Sequence, residues 1–348
     1  EIGSGLVGSE MCIRDRAANG KPVSDFGARR AHNVDAAVYG ARAAYIGGAA
    51  GTATVLAGKM FHIPISGTMA HSWVMTFDSE YDAFKAYAES YPDGTVLLVD
   101  TYDVLKSGVP NAIRTAREVL EPMGKKLIGI RLDSGDLAYL SKEARKMLDE
   151  AGLSDCMIVA SNSLDEYTIS SLNRQGAKID SYGVGERLIT SSSTPVFGAV
   201  YKLVAIQKDG KFIPKIKISE TAEKITNPGI KEVYRVYDEN GKAVADYLAV
   251  KGEQIRDFEP VRYVDPVNYW KNRSFVGCRF KKLQVPVFEK GKRIYDLPDI
   301  EEIRQYVKDQ LENEIWEEEQ RFENAHTHYL DMSPAMFELK MSLLHEEN

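Results

Sequence analysis

The sequence predicts an α/β protein built around a mostly parallel β-sheet. Short apolar runs recur about every thirty residues, the length of one strand–helix unit. The runs are continuously apolar rather than alternating, so both faces of each strand are expected to be buried, as in a parallel sheet. Amphipathic segments separate them, and such a series forms either an open doubly wound sheet or a closed barrel. The predicted strands are Phe61–Ser66, Thr95–Val99, Lys126–Ile130, Met157–Ala160 and Ile179–Tyr182.

Four predicted helices connect these strands. Glycine or proline follows each of them within two residues, as expected where a helix ends. The helices are predicted over Glu80–Ser90, Asn111–Leu120, Ser141–Ala151 and Asp165–Arg174.

Beyond about Val200 the pattern changes to short strands and turns, which predicts an antiparallel, β-rich part. Asp238–Gly241 ends in Asn-Gly and is predicted to be a hairpin turn. Glu301–Phe322 is predicted to be a helix with a solvated acidic face. The β-rich part is predicted to have strands at Tyr201–Ile206, Lys215–Ile218, Val233–Tyr237 and Ala243–Leu248.

The first sixteen residues do not fit this plan. Their stretch LVGSEMCIRDR resembles the conceptual translation of a sequencing adapter, and it has neither a signal-peptide plan nor a helical or strand period. The expected organisation is therefore an artefactual leader at 1–16, an α/β barrel catalytic domain at 17–205, a β-rich portion at 206–265 and a C-terminal segment with helices at 266–348.

The composition argues against several classes of protein. The 348 residues are 44% hydrophobic and 27% charged, as in soluble globular proteins. A net charge of −7 disfavours nucleic-acid and anionic-membrane partners. No apolar run approaches the roughly 20 residues that span a bilayer. Cys12, Cys156 and Cys278 form no CxxC pair, which indicates a reducing cytoplasm and no zinc or disulfide framework.

Polar residues stand directly after the predicted strands, at their carboxyl ends. Both candidate architectures place their active site at this edge. Helix capping accounts for residues such as Asp165 and Ser141. It does not require His71, Arg131 and Asp133 together, so these three mark a candidate site.

Two motifs suit a planar anionic ligand. Asp25–Arg30 places an aromatic ring beside two guanidinium groups, which can stack on a flat ring and bind its carboxylate, although a surface helix start has the same composition. Arg131–Asp136 can bind an anion and, directly or through Mg²⁺, a sugar hydroxyl; a salt-bridged loop is the alternative. Gly183-Val184-Gly185 lacks the third glycine of a dinucleotide fingerprint, but its backbone N–H groups can bind phosphate.

Together these motifs resemble the nicotinate phosphoribosyltransferase family. The resemblance runs from about Val23 to Pro228, through DFGARRAHNVDAA, GTMAHSW, LLVDTYDVLKSGVPNAI, GIRLDSGDL and GVGERLITSSSTPVFGAVYKLVAI. It implies an irregular type II phosphoribosyltransferase α/β barrel with an accompanying β-rich domain and a C-terminal helical segment. The implied reaction joins nicotinate to the ribose of phosphoribosyl pyrophosphate and releases pyrophosphate. It also implies Mg²⁺, ATP as a co-substrate and a cytoplasmic homodimer.

The resemblance also implies roles for individual residues. His71 would be transiently phosphorylated by ATP. Asp133, and with it Asp100, would face the ribose or Mg²⁺–pyrophosphate. Phe26 would stack on the pyridine ring, and Thr68 would contact nicotinate.

The remaining implied residues bind anionic groups. Arg29 and Arg131 would bind the nicotinate carboxylate or a neighbouring phosphate. Ser161, Gly183 and Gly185 would line the pocket of the 5′-phosphate.

The chain departs from the family in two places. Many relatives carry threonine directly after the GxG pair, where this chain has Glu186, and a carboxylate facing phosphate is unfavourable. We therefore expect Glu186 to point elsewhere. The N-terminal TDxYxLTM-like motif of the family is not present, which predicts an inactive or poorly folded polypeptide and leaves a non-catalytic remnant as one alternative. Nicotinamide phosphoribosyltransferase is the other, although its histidine motif differs from GTMAHS.

Overall fold

The computed structural model describes residues 11–12, 15–196, 198–221, 224–321 and 323–346. They belong to two compact units, Glu1–Phe197 with Ile300–Arg304, and Gly198–Asp299 with Gln305–Asn348. Within the described ranges, no helix is long and apolar enough to cross a membrane.

The first unit is organised by a curled sheet of six parallel strands. Their spatial order is β2-β1-β6-β5-β4-β3, and every neighbouring pair is parallel. The apolar residues Leu97, Ile130, Ile158 and Tyr182 are fully buried, which explains the continuously apolar sequence of these strands. The strands are β1 Val23–Asp25, β2 Gly51–Thr52, β3 Val96–Leu98, β4 Gly129–Leu132, β5 Met157–Ala160 and β6 Ser181–Val184.

Helices connect these strands, and polar side chains cap several of them. Asn33 caps the first helix and Asp165 caps the seventh by accepting hydrogen bonds from backbone N–H groups. The sixth helix, Leu137–Glu150, is capped by Asp136. Ser141 lies inside that helix and is buried, so its predicted capping role is wrong. The helices are α1 Val34–Ile46, α2 Val55–Phe61, α3 His71–Met75, α4 Glu80–Ser90, α5 Val109–Thr115, α6 Leu137–Glu150, α7 Glu166–Arg174 and α8 Glu186–Ile189.

The predicted strand at Phe61–Ser66 is wrong. Helix α2 extends to Phe61 and ends at His62, which adopts a left-handed conformation with φ 60°. Of the predicted strand, Ile65 forms an isolated parallel bridge to Thr52. The helix and the bridge divide one apolar run between them, and periodicity alone cannot separate two such short pieces.

The expected leader, 1–16, falls partly outside the described residues, which leave out 1–10, 13 and 14. Met11 and Cys12 are described and helical. The Met11 side chain is fully buried, and the Cys12 thiol donates a hydrogen bond to the Gly47 carbonyl at 3.3 Å. This part of the leader therefore packs against the first unit.

The second unit is rich in β-structure, as predicted. A six-stranded sheet has the order β12-β11-β16-β10-β9-β13, and two separate hairpins pair β7 with β8 and β14 with β15. The predicted hairpin turn is confirmed, since Ala243 pairs with Tyr237 across it and Gly241 has φ 78°. The strands are β7 Ala205–Lys208, β8 Lys211–Pro214, β9 Lys231–Tyr237, β10 Ala243–Val250, β11 Val261–Val264, β12 Asn272–Phe275, β13 Arg279–Lys282, β14 Phe288–Glu289, β15 Lys292–Arg293 and β16 Leu330–Met332.

Three predictions for the later chain differ from the structure. The strand predicted at Tyr201–Ile206 begins only at Ala205, and β7 covers Ala205–Lys208. The predicted strand at Lys215–Ile218 is not a strand; the chain pairs earlier, at Lys211–Pro214. The predicted helix at Glu301–Phe322 is shorter: α9 covers Ile300–Asp309 and continues as one wider turn to Glu314. The last described helix, α10, covers Pro334–Glu346.

Candidate functional site

Arg131 is the centre of a polar network at the carboxyl edge of the first sheet. It lies within β4, and its side chain is 16% exposed. Its Nε donates to Ser161 Oγ at 2.8 Å, its Nη1 to Thr68 Oγ1 at 2.9 Å and its Nη2 to Asp133 Oδ1 at 2.9 Å. Ser161 also donates to Asp133 in a short hydrogen bond. One guanidinium group thus joins three separate segments of the chain.

His71 lies beside this network, at the start of α3. Its Nδ1 is 3.1 Å from Thr101 Oγ1. Its Nε2 is 3.8 Å from Asp100 Oδ1 and 3.7 Å from Asp133 Oδ2. These two distances are too long for direct hydrogen bonds, so the carboxylates frame a gap in front of Nε2. The imidazole is 40% exposed and is therefore accessible to a ligand.

Asp100 presents one buried oxygen to this gap. Its side chain is 1% exposed, and its Oδ2 accepts from the Asp133 backbone N–H at 2.9 Å and from Ser134 Oγ at 2.6 Å. Its Oδ1, which faces His71, has no hydrogen-bond partner among the described residues. A buried carboxylate oxygen without a partner is costly unless a ligand or cation completes it.

Phe26 forms one wall of the same site. The Arg131 guanidinium carbon lies 5.3 Å from the centroid of its ring. Gly183 packs against the ring so closely that a Cβ there would lie 2.5 Å from two ring carbons. A Cβ at Gly185 would lie 3.3 Å from the Phe26 carbonyl. Gly183 therefore makes room for the aromatic ring, and Gly185 makes room for the backbone of Phe26.

A buried carboxylate supports the turn that carries Phe26. Asp25 is fully buried; it accepts from the Gly27 backbone N–H at 2.8 Å and from Thr52 Oγ1 at 2.7 Å. Burial raises the pKa of Asp25, while the hydrogen bonds from Thr52 and Gly27 act in the opposite direction.

Glu186 forms an exposed ion pair with Arg30, and its expected orientation away from bound phosphate stays a prediction. It begins α8, and its Oε2 lies 3.3 Å from Nε of Arg30. Arg29, on the neighbouring short 3₁₀ turn Ala28–Arg30, is exposed. The described contacts do not connect Arg29 with the network around Arg131, so its role as a substrate-binding residue stays a prediction.

The structure brings most of the predicted site residues into one connected group. Sequence reasoning missed three further members, Asp25, Thr101 and Ser134, although each lies at or next to a motif singled out for its position at a strand end. The predicted residues joined by the contacts above are Phe26, Thr68, His71, Asp100, Arg131, Asp133, Ser161, Gly183 and Gly185.

Comparisons with known proteins identify the family to which the chain belongs. Residues 22–241 match the nicotinate phosphoribosyltransferase (NAPRTase) family, and residues 230–340 match the nicotinate phosphoribosyltransferase C-terminal domain. The nicotinate phosphoribosyltransferase of Bacillus subtilis (strain 168) is 48% identical over 343 residues, which cover 98% of this chain and 67% of that protein. The enzyme of the same name from Dictyostelium discoideum is 37% identical, over 93% of this chain and 64% of that protein. The chain thus spans about two thirds of the length of these relatives.

Solved structures give the same result for the fold. Human nicotinic acid phosphoribosyltransferase superposes with a TM-score of 0.84 at 25% identity, over 98% of this chain and 74% of that one. The nicotinate-nucleotide pyrophosphorylase from Pyrococcus furiosus superposes with a TM-score of 0.66 at 28% identity, over 89% of this chain and 70% of that one. The predicted α/β architecture with a β-rich part and a C-terminal helix is therefore confirmed. The chain belongs to the nicotinate phosphoribosyltransferase family.

Proposed function

We propose that the site transfers the phosphoribosyl group of phosphoribosyl pyrophosphate to nicotinate, giving nicotinate mononucleotide and pyrophosphate. The observation that carries the proposal is the Phe26–Arg131 pair standing beside His71 and two carboxylates. Nicotinate is a flat ring with a carboxylate. A phenyl ring can stack on the flat ring, and a guanidinium can bind the carboxylate.

Arg131 favours nicotinate over its uncharged amide. A guanidinium has about five N–H donors. The contacts to Ser161, Thr68 and Asp133 use one N–H on each of its three nitrogens, so N–H groups remain for the carboxylate of nicotinate. The same contacts hold the planar group in one orientation, which reduces the entropy lost when a carboxylate binds.

The carboxylates suit a divalent cation that arrives with pyrophosphate groups. Asp100 Oδ1 is buried without a partner in the described chain, and Asp133 Oδ2 faces the same nitrogen of His71. No group of three or more acidic, histidine or cysteine residues in the described ranges is arranged to hold a metal ion. Mg²⁺ commonly binds through one or two carboxylates plus substrate phosphates. Asp100 and Asp133 would hold it, and it would offset the charge of the pyrophosphate group.

His71 is the residue we propose to accept a phosphoryl group from ATP. It is accessible, it is fixed on one side by Thr101, and it faces the gap where phosphate groups would bind. Hydrolysis of the phosphohistidine can drive the reaction only if the two phosphorylation states bind substrates differently. We therefore expect His71→Ala to abolish the stimulation of nicotinate mononucleotide formation by ATP. The exposed His32→Ala variant, outside the site, is the control.

The proposed function is tested by measuring nicotinate binding and nicotinate mononucleotide formation with the 348-residue chain, Mg²⁺ and ATP. Steady product formation supports the function and contradicts the expectation of an inactive polypeptide. Binding of nicotinate without turnover supports that expectation. If nicotinamide is consumed in place of nicotinate, or if neither ring binds, the proposed function is wrong.

We also propose that the protein acts in the cytoplasm as a homodimer. Cys156 and Cys278 are free thiols, which agrees with a reducing compartment. Sedimentation equilibrium measures the mass in solution, and a monomer at all concentrations would contradict the dimer.

A further inference from the structure

We propose that Asp25 is a positioning residue: its buried carboxylate holds the turn that places the Phe26 ring on the nicotinate-binding face. The inference rests on the proposed function for the identity of the ligand. It adds a residue that never touches the substrate but determines where the stacking ring stands.

The hydrogen bonds around Asp25 indicate its role. Thr52 Oγ1 accepts the Thr54 backbone N–H at 2.9 Å, so the hydroxyl proton of Thr52 is directed to Asp25 at 2.7 Å. The Gly27 N–H also donates to Asp25. Asp25 is the acceptor in both of its hydrogen bonds, a role suited to the ionised carboxylate. A buried anion is expensive, and in the described chain these two donors, rather than an ion pair, are what offset its burial.

The two hydrogen bonds fix Phe26 from both sides. The residue before it is held to the end of β2 through Thr52, and the residue after it is held through the Gly27 N–H. The Phe26 backbone N–H donates to the Val184 carbonyl at 2.7 Å. The ring then has Gly183 on one side and Arg131 nearby. Because the backbone is fixed at three successive residues, the ring has little freedom to leave this position.

Removal of the carboxylate should loosen this turn, whereas Asp100, Asp133 and Ser161 make none of its hydrogen bonds and should keep their positions. Asp25→Ala leaves the Gly27 N–H and the Thr52 hydroxyl unpaired in a buried location, which favours other conformations of the turn. Asp25→Asn keeps an acceptor for Gly27 but presents an N–H group to Thr52. Its effect should therefore be smaller.

The experiment measures the binding of nicotinate and of phosphoribosyl pyrophosphate by calorimetry on the full chain. For Asp25→Ala we expect nicotinate to bind about tenfold more weakly, whereas the affinity for phosphoribosyl pyrophosphate stays within about twofold. The control is Glu80→Ala. Glu80 is 4% exposed and also accepts two hydrogen bonds, in its case from the side chains of Ser107 and Asn111, but it lies in α4. It should leave nicotinate binding unchanged.

A crystal structure of Asp25→Ala separates the two proposals. We expect the Phe26 ring to move away from Gly183, whether or not the wild-type chain binds nicotinate. If wild type binds no nicotinate but the ring moves, the proposed function fails and the positioning role stands. An unmoved ring, or equal loss of nicotinate affinity in Glu80→Ala, overturns the positioning role.

Thr52 provides a second route if Asp25→Ala does not fold. Thr52→Val keeps the carboxylate and removes one donor, so nicotinate binding should weaken by a smaller factor, and Thr52→Ser should restore it. Unchanged nicotinate binding in a folded Thr52→Val would also overturn the positioning role.

Discussion

The Gly183→Ala substitution adds one methyl group directly beneath the Phe26 ring. The new Cβ would lie 2.5 Å from both Cδ2 and Cε2 of Phe26. Ordinary contacts between carbon atoms are about 3.5–4.0 Å. The ring must therefore move by about 1 Å, because Gly183 is part of β6 and its backbone is paired with Ser24.

We expect a large loss of activity toward nicotinate from this small change. A displacement of about 1 Å in a positioning group can reduce the rate about 100-fold. The assay compares kcat/KM for nicotinate and for phosphoribosyl pyrophosphate, and the loss should be larger for nicotinate. Gly94→Ala is a matched control, since a Cβ there has nothing within 4 Å. If both variants retain the wild-type kcat/KM, the proposed contact between Phe26 and the pyridine ring is wrong.

Two further predictions concern titrating groups outside the site. His328 lies between Asp246, whose Oδ1 is 3.4 Å from its Nε2, and Glu319, whose Oε2 is 3.1 Å from its Nδ1. The two carboxylates, Asp246 foremost, raise its pKa above the ordinary 6.5. A raised pKa stabilises the fold below the ordinary value, and this contribution is lost as pH rises through the raised value. The difference in unfolding free energy between wild type and His328→Gln should therefore shrink from about pH 6 to about pH 9, as measured by urea titration; a constant difference would contradict this. Burial raises the pKa of Cys156 to about 12, so iodoacetamide at about pH 8 should modify it only after unfolding, and rapid modification of the native chain in a mass spectrum would be the opposite result.

Elements with a strong local signal could be predicted from the sequence. Helix α4 and strand β5 have the predicted bounds, Glu80–Ser90 and Met157–Ala160. In each case a periodic or apolar segment is closed by a residue that stops it, such as Pro92 after α4. Strands β1 and β2 have three and two residues, too short for any periodicity. They become strands because β1 pairs with β6 and β2 pairs with β1. Pairing with residues distant in the sequence is a tertiary effect.

The edge that carries the site could be predicted, but the contacts within it could not. Polar residues after buried strands meet at one edge in any parallel sheet, so Asp100, Asp133 and Ser161 were expected to be close. His71 was placed there by the strand predicted at Phe61–Ser66, which the structure does not contain. The hydrogen bond from Arg131 to Thr68 joins residues 63 positions apart, and no spacing rule specifies it. In the sequence, Asp25 was noted only as the first residue of the Asp25–Arg30 motif. Its role depends on Thr52, which belongs to a strand that the sequence did not reveal.

Glu186 illustrates how charge is distributed around this edge. Its carboxylate pairs with Arg30, and their side chains are 60% and 53% exposed. Such an exposed pair contributes about 1 kcal/mol or less to stability, so its consequence is the direction of two charges rather than a stronger fold. Because Glu186 and Arg30 offset each other's charge, we leave them out of the charge balance of the site. The described network around Arg131 then has one guanidinium and the two carboxylates of Asp100 and Asp133.

This balance of charge has different consequences for the phosphate groups and for the carboxylate of nicotinate. A polyanion such as phosphoribosyl pyrophosphate is repelled by two carboxylates unless a cation accompanies it, whereas a single carboxylate on a flat ring needs only Arg131 and the face of Phe26. On the proposed function, Phe26 and Arg131 would recognise the ring, and Asp100 and Asp133 with a cation would recognise the phosphates. Substitution of Phe26 should mainly weaken nicotinate binding, and substitution of Asp100 should mainly weaken binding of phosphoribosyl pyrophosphate. Substitution of Asp133 should affect both, because Asp133 accepts a hydrogen bond from Arg131 at 2.9 Å.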